Sequence, residues 1–301
     1  MTGLHLLKPR TAWATAIHLR DELSLPLDGE PDFVLRTRKF FRNPRQPHTI
    51  ADPFLFEDQG RTYVLFETQV GDDFGRIEAA EVTSAGPKHL GVILSEPFHL
   101  SYPSVFRIKD QIYLMPECAG SGEMRLYRFE QFPRNPIFVR SLKSGKFADP
   151  SPIVVDGTLF IFATTADGLQ LFHTDDPIRG SLELHPASPL TKDPAFSRCG
   201  GTPFRLGHVL LRPAQNCADQ YGSNLNLMRI EELTRDRYRE SIFQQDIFEC
   251  EHDWNAEGGH HLSVAKFEGR YAVAVDGQAR DHDVNRIVSR LWMIASGKRR
   301  R

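Results

Sequence analysis

Four carboxylates occupy matching places in a phrase that recurs along this chain. Two of them, Asp52 and Asp149, directly precede a proline, and the other two, Glu67 and Glu117, end an apolar run. Two carboxyl groups that share one pocket can divide proton donation and proton removal between them, provided their surroundings separate their pKa values. We therefore predict acid and base chemistry for these four residues.

The phrase begins with a polar residue before Pro or Leu, passes through a glycine or turn, and ends in an apolar strand closed by a second polar residue. Its five copies begin at Asp52, Tyr102, Asp149, Thr202 and His261. In every copy except the fourth, the second polar residue follows fifteen positions later, at Glu67, Glu117, Thr164 and Asp276. A period of roughly 50 residues is typical of propeller blades and solenoid units.

The segments between copies alternate apolar and polar side chains, which indicates further strands. Examples are Arg125–Phe129, Leu169–His173 and Leu225–Ile230. The prediction is an all-β, five-bladed β-propeller forming a single domain over residues 1–296, with a basic tail at 297–301. Strands containing Thr11–Ile17 and Arg290–Ile294 are expected to share one blade and close the ring.

Composition excludes several classes of protein. Of the 301 residues 40% are hydrophobic, and the net charge of −2 gives no reason to expect a nucleic-acid partner. The sequence has no apolar run of transmembrane length and no secretory signal, so we expect a cytoplasmic protein without a transmembrane segment. Four scattered cysteines without a CxxC pair are expected to be free thiols: Cys118, Cys199, Cys217 and Cys250.

In a propeller, the innermost strand of each blade runs along the central channel, so equivalent positions converge on the axis. A single Asp-Pro is most often a turn signal. The same dipeptide in the same register of two repeats, at Asp52 and Asp149, favours a functional role. The second polar positions are expected to line the same face.

These motifs resemble the five-bladed propeller of glycoside hydrolase family 43. The resemblance rests on Asp52-Pro53, Tyr102-Pro103, Asp149-Pro150 and His260-His261. It implies that Asp52 is a general base and that Asp149 tunes the pKa of the acid and positions substrate. It also implies that His261 lies near an axial metal ion, often calcium. The family's acid is a Glu in the fourth blade, where this chain has Gly201, so Glu117 or Glu67 would have to replace it.

A closer resemblance is to the N-terminal propeller domain of plant glucosamine inositolphosphorylceramide transferases, and to propellers beside formyltransferase domains in bacterial polysaccharide-pathway proteins. The phrases that carry it are His99–Pro103, Met115–Glu117, Arg198–Gly201, Arg212–Gln215 with Tyr221-Gly222, and Gly259–Ser263. It implies a place in glycan or polysaccharide biosynthesis, with other proteins of such a pathway as partners.

Two functions follow. The first is a glycosidase-like or glycosyl-transferring enzyme acting on a sugar, sugar nucleotide or glycan, in which Arg198, Arg212 and Gln215 hold an anionic or hydroxyl-rich substrate. Further substrate contacts are predicted at Tyr102, His99, His260 and Asp276. The second is a non-catalytic glycan-binding or scaffolding propeller, which the missing fourth-blade Glu favours. Calcium near His261 and a buried core histidine are both open alternatives.

Overall fold

The structure is a computed structural model that describes residues 10–25, 27, 29–36, 47–70 and 73–281. Within these residues the chain forms 21 β-strands and a 3-10 turn at Ala119–Ser121. The all-β class predicted from the sequence is confirmed. The predicted closing strand at Arg290–Ile294 and the basic tail at 297–301 lie outside the described residues.

The largest sheet has eight strands in the order β20-β21-β1-β3-β4-β5-β6, with β2 paired to β1. Its strands are β1 Arg10–Arg20, β2 Phe33–Leu35, β3 Thr49–Asp58, β4 Arg61–Gln69, β5 Arg76–Val82, β6 Lys88–Leu94, β20 Leu262–Phe267 and β21 Arg270–Asp281. The N-terminal strand predicted at Thr11–Ile17 is β1. A single parallel pair, Trp13 with Thr49, joins β1 to β3. Two antiparallel four-stranded groups are therefore continuous here, where the sequence predicted separate blades.

Three further sheets follow along the described chain, in the orders β10-β9-β8-β7, β11-β12-β13-β14 and β15-β17-β18-β19, with β16 paired to β17. The second sheet contains β7 Ser101–Ile108, β8 Gln111–Glu117, β9 Glu123–Arg128 and β10 Ile137–Ser144. The third contains β11 Ala148–Val155, β12 Thr158–Thr165, β13 Gly168–Thr174 and β14 Glu183–Leu184. The fourth contains β15 Arg198–Cys199, β16 Phe204–Leu206, β17 Val209–Asn216, β18 Asn224–Leu233 and β19 Tyr238–Gln244.

The recurring phrase is a β-bulge at the start of a hairpin. In β3, β7 and β11 the antiparallel register shifts just where the phrase begins. The bulged residues Asp52, Tyr102 and Asp149 have φ angles of 52°, 47° and 52°, in the left-handed region that non-glycine residues seldom adopt. Proline, which has no N–H to donate, follows each of them. The hydrogen bonding between the strands tolerates it because a bulge leaves an N–H unpaired in any case. The fifteen-residue spacing is thus the length of one bulged hairpin.

The first strands of successive repeats contact one another. β3 contacts β7 and β20, β7 contacts β11, and β11 contacts β15. The backbone N–H of Leu262 donates to the carbonyl of Gly200 at 2.8 Å, which links the end of β15 to β20. This arrangement brings the bulges of different sheets together.

The core consists of apolar clusters packed between neighbouring sheets. One of them joins Met115 of β8 and Leu126 of β9 to Ile161 of β12. Another joins Leu211 of β17 to Val273 of β21. Burying each such side chain contributes about 1.5–3 kcal/mol, so the sheets hold one another in place and fix the positions of the bulges. All four cysteines are free, as expected.

Candidate functional site

Carboxylates from other strands accept hydrogen bonds from the backbone N–H groups of the bulged residues. The N–H of Asp52 donates to Asp276 Oδ2 at 3.1 Å, that of Tyr102 to Asp52 Oδ2 at 3.0 Å, and that of Asp149 to Glu117 Oε2 at 3.0 Å. A bulge removes an N–H from the strand ladder, and a buried N–H needs an acceptor. The acceptors Asp276, Asp52 and Glu117 therefore gather at the bulges, and the bonds from Tyr102 and Asp149 also connect one sheet to the next. We call this cluster of carboxylates and the side chains that contact it the axial site.

Glu117 and Asp149 form one half of the axial site. Arg198 Nε lies 2.5 Å from Asp149 Oδ2, and Arg198 Nη2 lies 4.0 Å from Glu117 Oε2. Burial, together with the negative charge of Asp149, raises the pKa of Glu117 to about 9. The Glu117 side chain keeps 18% of its surface exposed. At neutral pH Glu117 is therefore a protonated carboxylic acid that a ligand can reach.

Asp52 forms the other half. Its side chain is buried, and burial raises its pKa well above the ordinary value for an aspartate. The positive charge of His260 opposes that rise, while the negative charges of Glu67, Asp276 and Asp149 add to it. The positive charge of His260 and the hydrogen bond from the Tyr102 N–H both favour the ionised form of Asp52, which is the form that can remove a proton.

Asp276 and His260 are a buried ion pair. His260 Nδ1 lies 2.8 Å from Asp276 Oδ2, and the His260 ring stacks on Trp13 with centroids 4.1 Å apart. Burial disfavours the charge on His260, but the Asp276 carboxylate outweighs it and raises the His260 pKa to about 9. Asp276 Oδ1 also accepts from the N–H groups of His260 and His261. These contacts hold the fifth copy of the phrase together, and the substrate contacts expected of both side chains stay a prediction.

Among the described residues, His261 does not belong to the cluster of side chains that could hold a metal ion. Its ring is fully buried against the rings of Phe54 and Tyr102, with centroids 4.5 Å and 5.2 Å away. Burial lowers its pKa to about 3, so the ring is neutral, and neither nitrogen has a hydrogen-bond partner among the described residues. Its carboxylate neighbour Asp52 Oδ1 is 3.9 Å away.

Calcium requires six to eight oxygen ligands. Within the described chain, the side chains that could converge on a metal ion are Asp52, His260 and Asp276. They offer few free oxygens, because Asp276 already accepts from His260 and from three backbone N–H groups. The donor set does not fit calcium, and the axial calcium stays a prediction that this geometry does not favour.

Glu67 and His99 lie together. His99 Nε2 is 3.3 Å from Glu67 Oε1, and its Nδ1 accepts from the N–H of Gly75 at 2.9 Å. The hydrogen bond to Glu67 raises the pKa of His99. A Cβ on Gly75 would stand 2.4 Å from the carbonyl oxygen of Leu100 and 2.8 Å from Glu67 Oε1, so only glycine allows this approach. Glu67 is buried and His99 is half-buried, with 41% of its side chain exposed, so of the two His99 is the one that a ligand can reach.

The fourth copy of the phrase has no room for an acid. A Cβ on Gly201, where φ is 141°, would lie 2.1 Å from the carbonyl oxygen of Leu262. The Gly201 N–H donates to the Tyr102 hydroxyl at 2.6 Å, and that hydroxyl also pairs with Ser151 Oγ at 2.7 Å. Tyr102, predicted to contact substrate, is a fully buried anchor for this turn. The glycine is thus a packing requirement, and the hydrolase acid is sterically excluded.

Arg212 and Gln215 serve other residues of the protein. Arg212 is fully buried, and its Nε and Nη2 bind the two oxygens of Glu240 at 2.9 Å and 2.8 Å. Arg212 is thus a buried cation neutralised by Glu240, and its expected contact with substrate stays a prediction. Gln215 Nε2 donates to Asp149 Oδ2 at 3.0 Å and to the Cys199 carbonyl at 2.7 Å. Gln215 therefore positions Asp149.

Tyr221 belongs to the axial site, although the sequence singled it out only as part of a resemblance. The Arg198 guanidinium lies over its ring, 4.8 Å from the centroid. The ring also meets His260 edge to face, with centroids 5.2 Å apart. An aromatic residue before a glycine in a loop was the available signal, and that signal alone does not distinguish a site from a turn.

The family model described as "Glucosamine inositolphosphorylceramide transferase 1, N-terminal" matches residues 35–278. Glucosamine inositolphosphorylceramide transferase 1 of Oryza sativa subsp. japonica is 31% identical over 245 residues, covering 76% of this chain and 33% of the relative. The Arabidopsis thaliana protein of the same name is 27% identical over 261 residues, covering 81% and 34%. The chain thus spans about a third of the length of these relatives.

Solved structures show the same fold. The catalytic domain of a GH62 α-L-arabinofuranosidase from Coprinopsis cinerea matches with a TM-score of 0.59 and 11% identity, covering 87% of this chain and 97% of that one. An α-L-arabinofuranosidase (CtGH43) from Clostridium thermocellum matches with a TM-score of 0.54 and 14% identity, covering 76% and 82%. At these identities the likeness concerns the fold alone. The part of the chain that the structure describes contains no helix long and apolar enough to cross a membrane.

Proposed function

Because the chain belongs to the family of the N-terminal domain of glucosamine inositolphosphorylceramide transferase 1, we propose that it acts on glycosyl groups in glycan or polysaccharide biosynthesis. In this proposal it is a glycosidase-like or glycosyl-transferring enzyme with its chemistry at the axial site. The observation that carries the proposal is Glu117, a reachable carboxyl group that burial and Asp149 keep protonated at neutral pH. A protonated acid is what the cleavage of a glycosidic bond requires.

The roles follow from the contacts. Glu117 donates its proton to the leaving oxygen as the bond from that oxygen to the anomeric carbon breaks. Asp52 removes a proton from water or from an acceptor hydroxyl as the new bond to the anomeric carbon forms. Asp149 raises the pKa of Glu117, and it is itself fixed by Arg198 and Gln215. Glu117 thereby takes the place of the acid for which Gly201 leaves no room.

The substrate class in this proposal is a sugar nucleotide, a lipid-linked sugar or a glycan precursor, encountered in the cytoplasm and in company with other biosynthetic proteins.

We count the blades as five by dividing the eight-stranded sheet at its single parallel pair, Trp13 with Thr49. That division gives each copy of the phrase one blade. Support comes from the contacts between the first strands of successive copies.

A second candidate function is a binding module without chemistry. Exclusion of any side chain at Gly201 favours it, since the hydrolase acid has been lost. The two candidates differ in what Glu117 does. In a binding module it is one more hydrogen-bonding group, whereas in an enzyme its proton is consumed in every cycle.

Replacing Glu117 by Gln keeps the shape and removes the transferable proton. We expect Glu117→Gln and Asp52→Asn each to lower turnover about 10²- to 10⁴-fold on whichever member of a panel of glycosides and sugar nucleotides the wild type accepts. Glu130→Gln, at an exposed residue outside the axial site, is the matched control and should be unaffected. If the wild type binds a member of the panel without turning it over, the binding module is correct.

A further inference from the structure

Tyr221 is the exposed aromatic side chain of the axial site. Its exposed fraction is 49%, whereas Tyr102 is fully buried. The Arg198 guanidinium covers part of the Tyr221 ring at 4.8 Å, and the same guanidinium binds Asp149. The rings of His260 and Trp13 also contact Tyr221, with centroids 5.2 Å and 6.2 Å away, and the half of the residue that stays exposed lies beside the residues proposed to do the chemistry.

The Tyr221 ring is held by Arg198 and His260, and the turn that carries it is fixed as well. Gln278 Nε2 donates to the Gly222 carbonyl at 2.9 Å and to the Tyr221 carbonyl at 3.3 Å, which fixes the turn. A Cβ on Gly222 would come within 3.1 Å of Trp13 and His260, so the backbone is pressed against these two rings. A fixed aromatic ring loses little conformational entropy when a ligand binds, which makes it an effective contact.

An exposed aromatic ring held beside polar groups suits a sugar. A pyranose with equatorial substituents presents axial C–H groups as an apolar face, and an aromatic ring supplies matching apolar area. The hydroxyl groups at the edge of such a sugar need charged or polar partners, which Arg198 and Glu117 provide within 4.0 Å of each other.

We propose that Tyr221 is the stacking platform of a pyranose-binding subsite at the mouth of the axial site, with Arg198 and Glu117 binding the hydroxyl groups of the sugar. This inference rests on the proposed function, because it names the ring type that the axial site receives. It assigns to Tyr221 a role in binding, separate from the proton transfer assigned to Glu117.

Saturation-transfer NMR tests the platform, with methyl β-D-glucopyranoside as the probe and sorbitol as an open-chain polyol of similar hydroxyl content. In the wild type we expect the strongest saturation at H1, H3 and H5 of the pyranoside, because these protons form the face that lies on the ring. Sorbitol should show little saturation transfer. Absence of saturation transfer to the pyranoside, or equal transfer to sorbitol, would overturn the inference.

Substitutions of Tyr221 provide a second test of the platform. Tyr221→Ala should raise the Kd for the pyranoside about five- to tenfold, the effect of losing one aromatic contact. Tyr221→Phe, which keeps the ring, should stay within about twofold. The control is Phe138→Ala, since Phe138 is also 49% exposed and also has an arginine, Arg125, over its ring at 5.1 Å. An unchanged Kd in Tyr221→Ala would contradict the platform.

The two proposals fail separately. If Glu117→Gln loses turnover while Tyr221→Ala binds as tightly as the wild type, the platform is wrong and the proposed chemistry stands. If Tyr221→Ala weakens binding while Glu117→Gln keeps full turnover, the platform stands and Glu117 is not the acid. Thermal unfolding of each variant shows whether a change in binding reflects loss of the folded state.

Discussion

Substituting Glu117 by Gln should change how the stability of the protein depends on pH. The folded protein holds a proton on Glu117 up to a pKa of about 9, whereas the unfolded chain releases it near the ordinary value of 4.5. Between these two values the native state binds more protons, so the free energy of unfolding falls as pH rises. The stabilisation is complete below the unfolded pKa and is lost as pH rises towards the folded pKa.

The size of the effect follows from the shift. One bound proton changes the free energy of unfolding by about 1.4 kcal/mol per pH unit, so the whole window corresponds to at most ~6 kcal/mol. The partial exposure of Glu117 makes this an upper bound. Gln carries the shape of the protonated acid without its titration. The stability of Glu117→Gln relative to wild type should therefore increase steadily with pH across the window.

Urea denaturation at pH 5, 6, 7, 8 and 9 measures this difference directly. Glu130→Gln serves as the control, and its stability should follow the wild-type pH profile because Glu130 is exposed and outside the axial site. Parallel pH profiles for Glu117→Gln and wild type would refute the reasoning. They would mean that Glu117 titrates alike in the folded and unfolded states.

Two further predictions concern the packing that supports the axial site. Glu240→Gln should destabilise the protein by about 3–5 kcal/mol in urea denaturation, because it leaves the Arg212 cation buried without its partner. The control is Glu231→Gln, in a more exposed pair with Arg239, which should cost under about 1 kcal/mol. Equal losses in the two variants would contradict the assignment of Arg212 as a buried cation neutralised by Glu240. Gly201→Ala should lower the free energy of unfolding by roughly 3 kcal/mol or more, because the new Cβ meets the Leu262 carbonyl. The control is Gly207→Ala, with open space around it and a φ of 59°, which should lower it by only about 1–2 kcal/mol. A Gly201→Ala protein as stable as Gly207→Ala would show that the fourth copy has room for a side chain.

The parts of the fold that the sequence could predict depend on local hairpin geometry. The repeated phrase predicted the strands and the equivalence of Asp52, Tyr102 and Asp149, because a bulged hairpin fixes the spacing between its two polar residues. The same spacing predicted that Glu67 and Glu117 would face the bulges. Neither the left-handed conformation of the bulged residues nor the use of carboxylates to bind their N–H groups is visible in a residue pattern.

The parts that the sequence could not predict depend on partners distant in the chain. Arg198 and Arg212 are alike as residues, yet one binds Asp149 in the axial site and the other is neutralised by Glu240 in the core. His260 and Asp276 carry the chemistry expected of a ligand site, but they pair with each other. Which polar group is free to meet a ligand depends on three-dimensional packing, and residue type alone does not determine it.

Dependence of turnover on the leaving group tests most directly whether Glu117 is the acid. A glycoside with a 2,4-dinitrophenyl leaving group needs no proton to depart, whereas the methyl glycoside of the same sugar does. With a sugar that the wild type accepts, Glu117→Gln should retain most turnover on the dinitrophenyl glycoside and lose about 10²-fold or more on the methyl glycoside. Equal losses on both substrates, or full activity on both, would contradict the assignment of Glu117 as the proton donor.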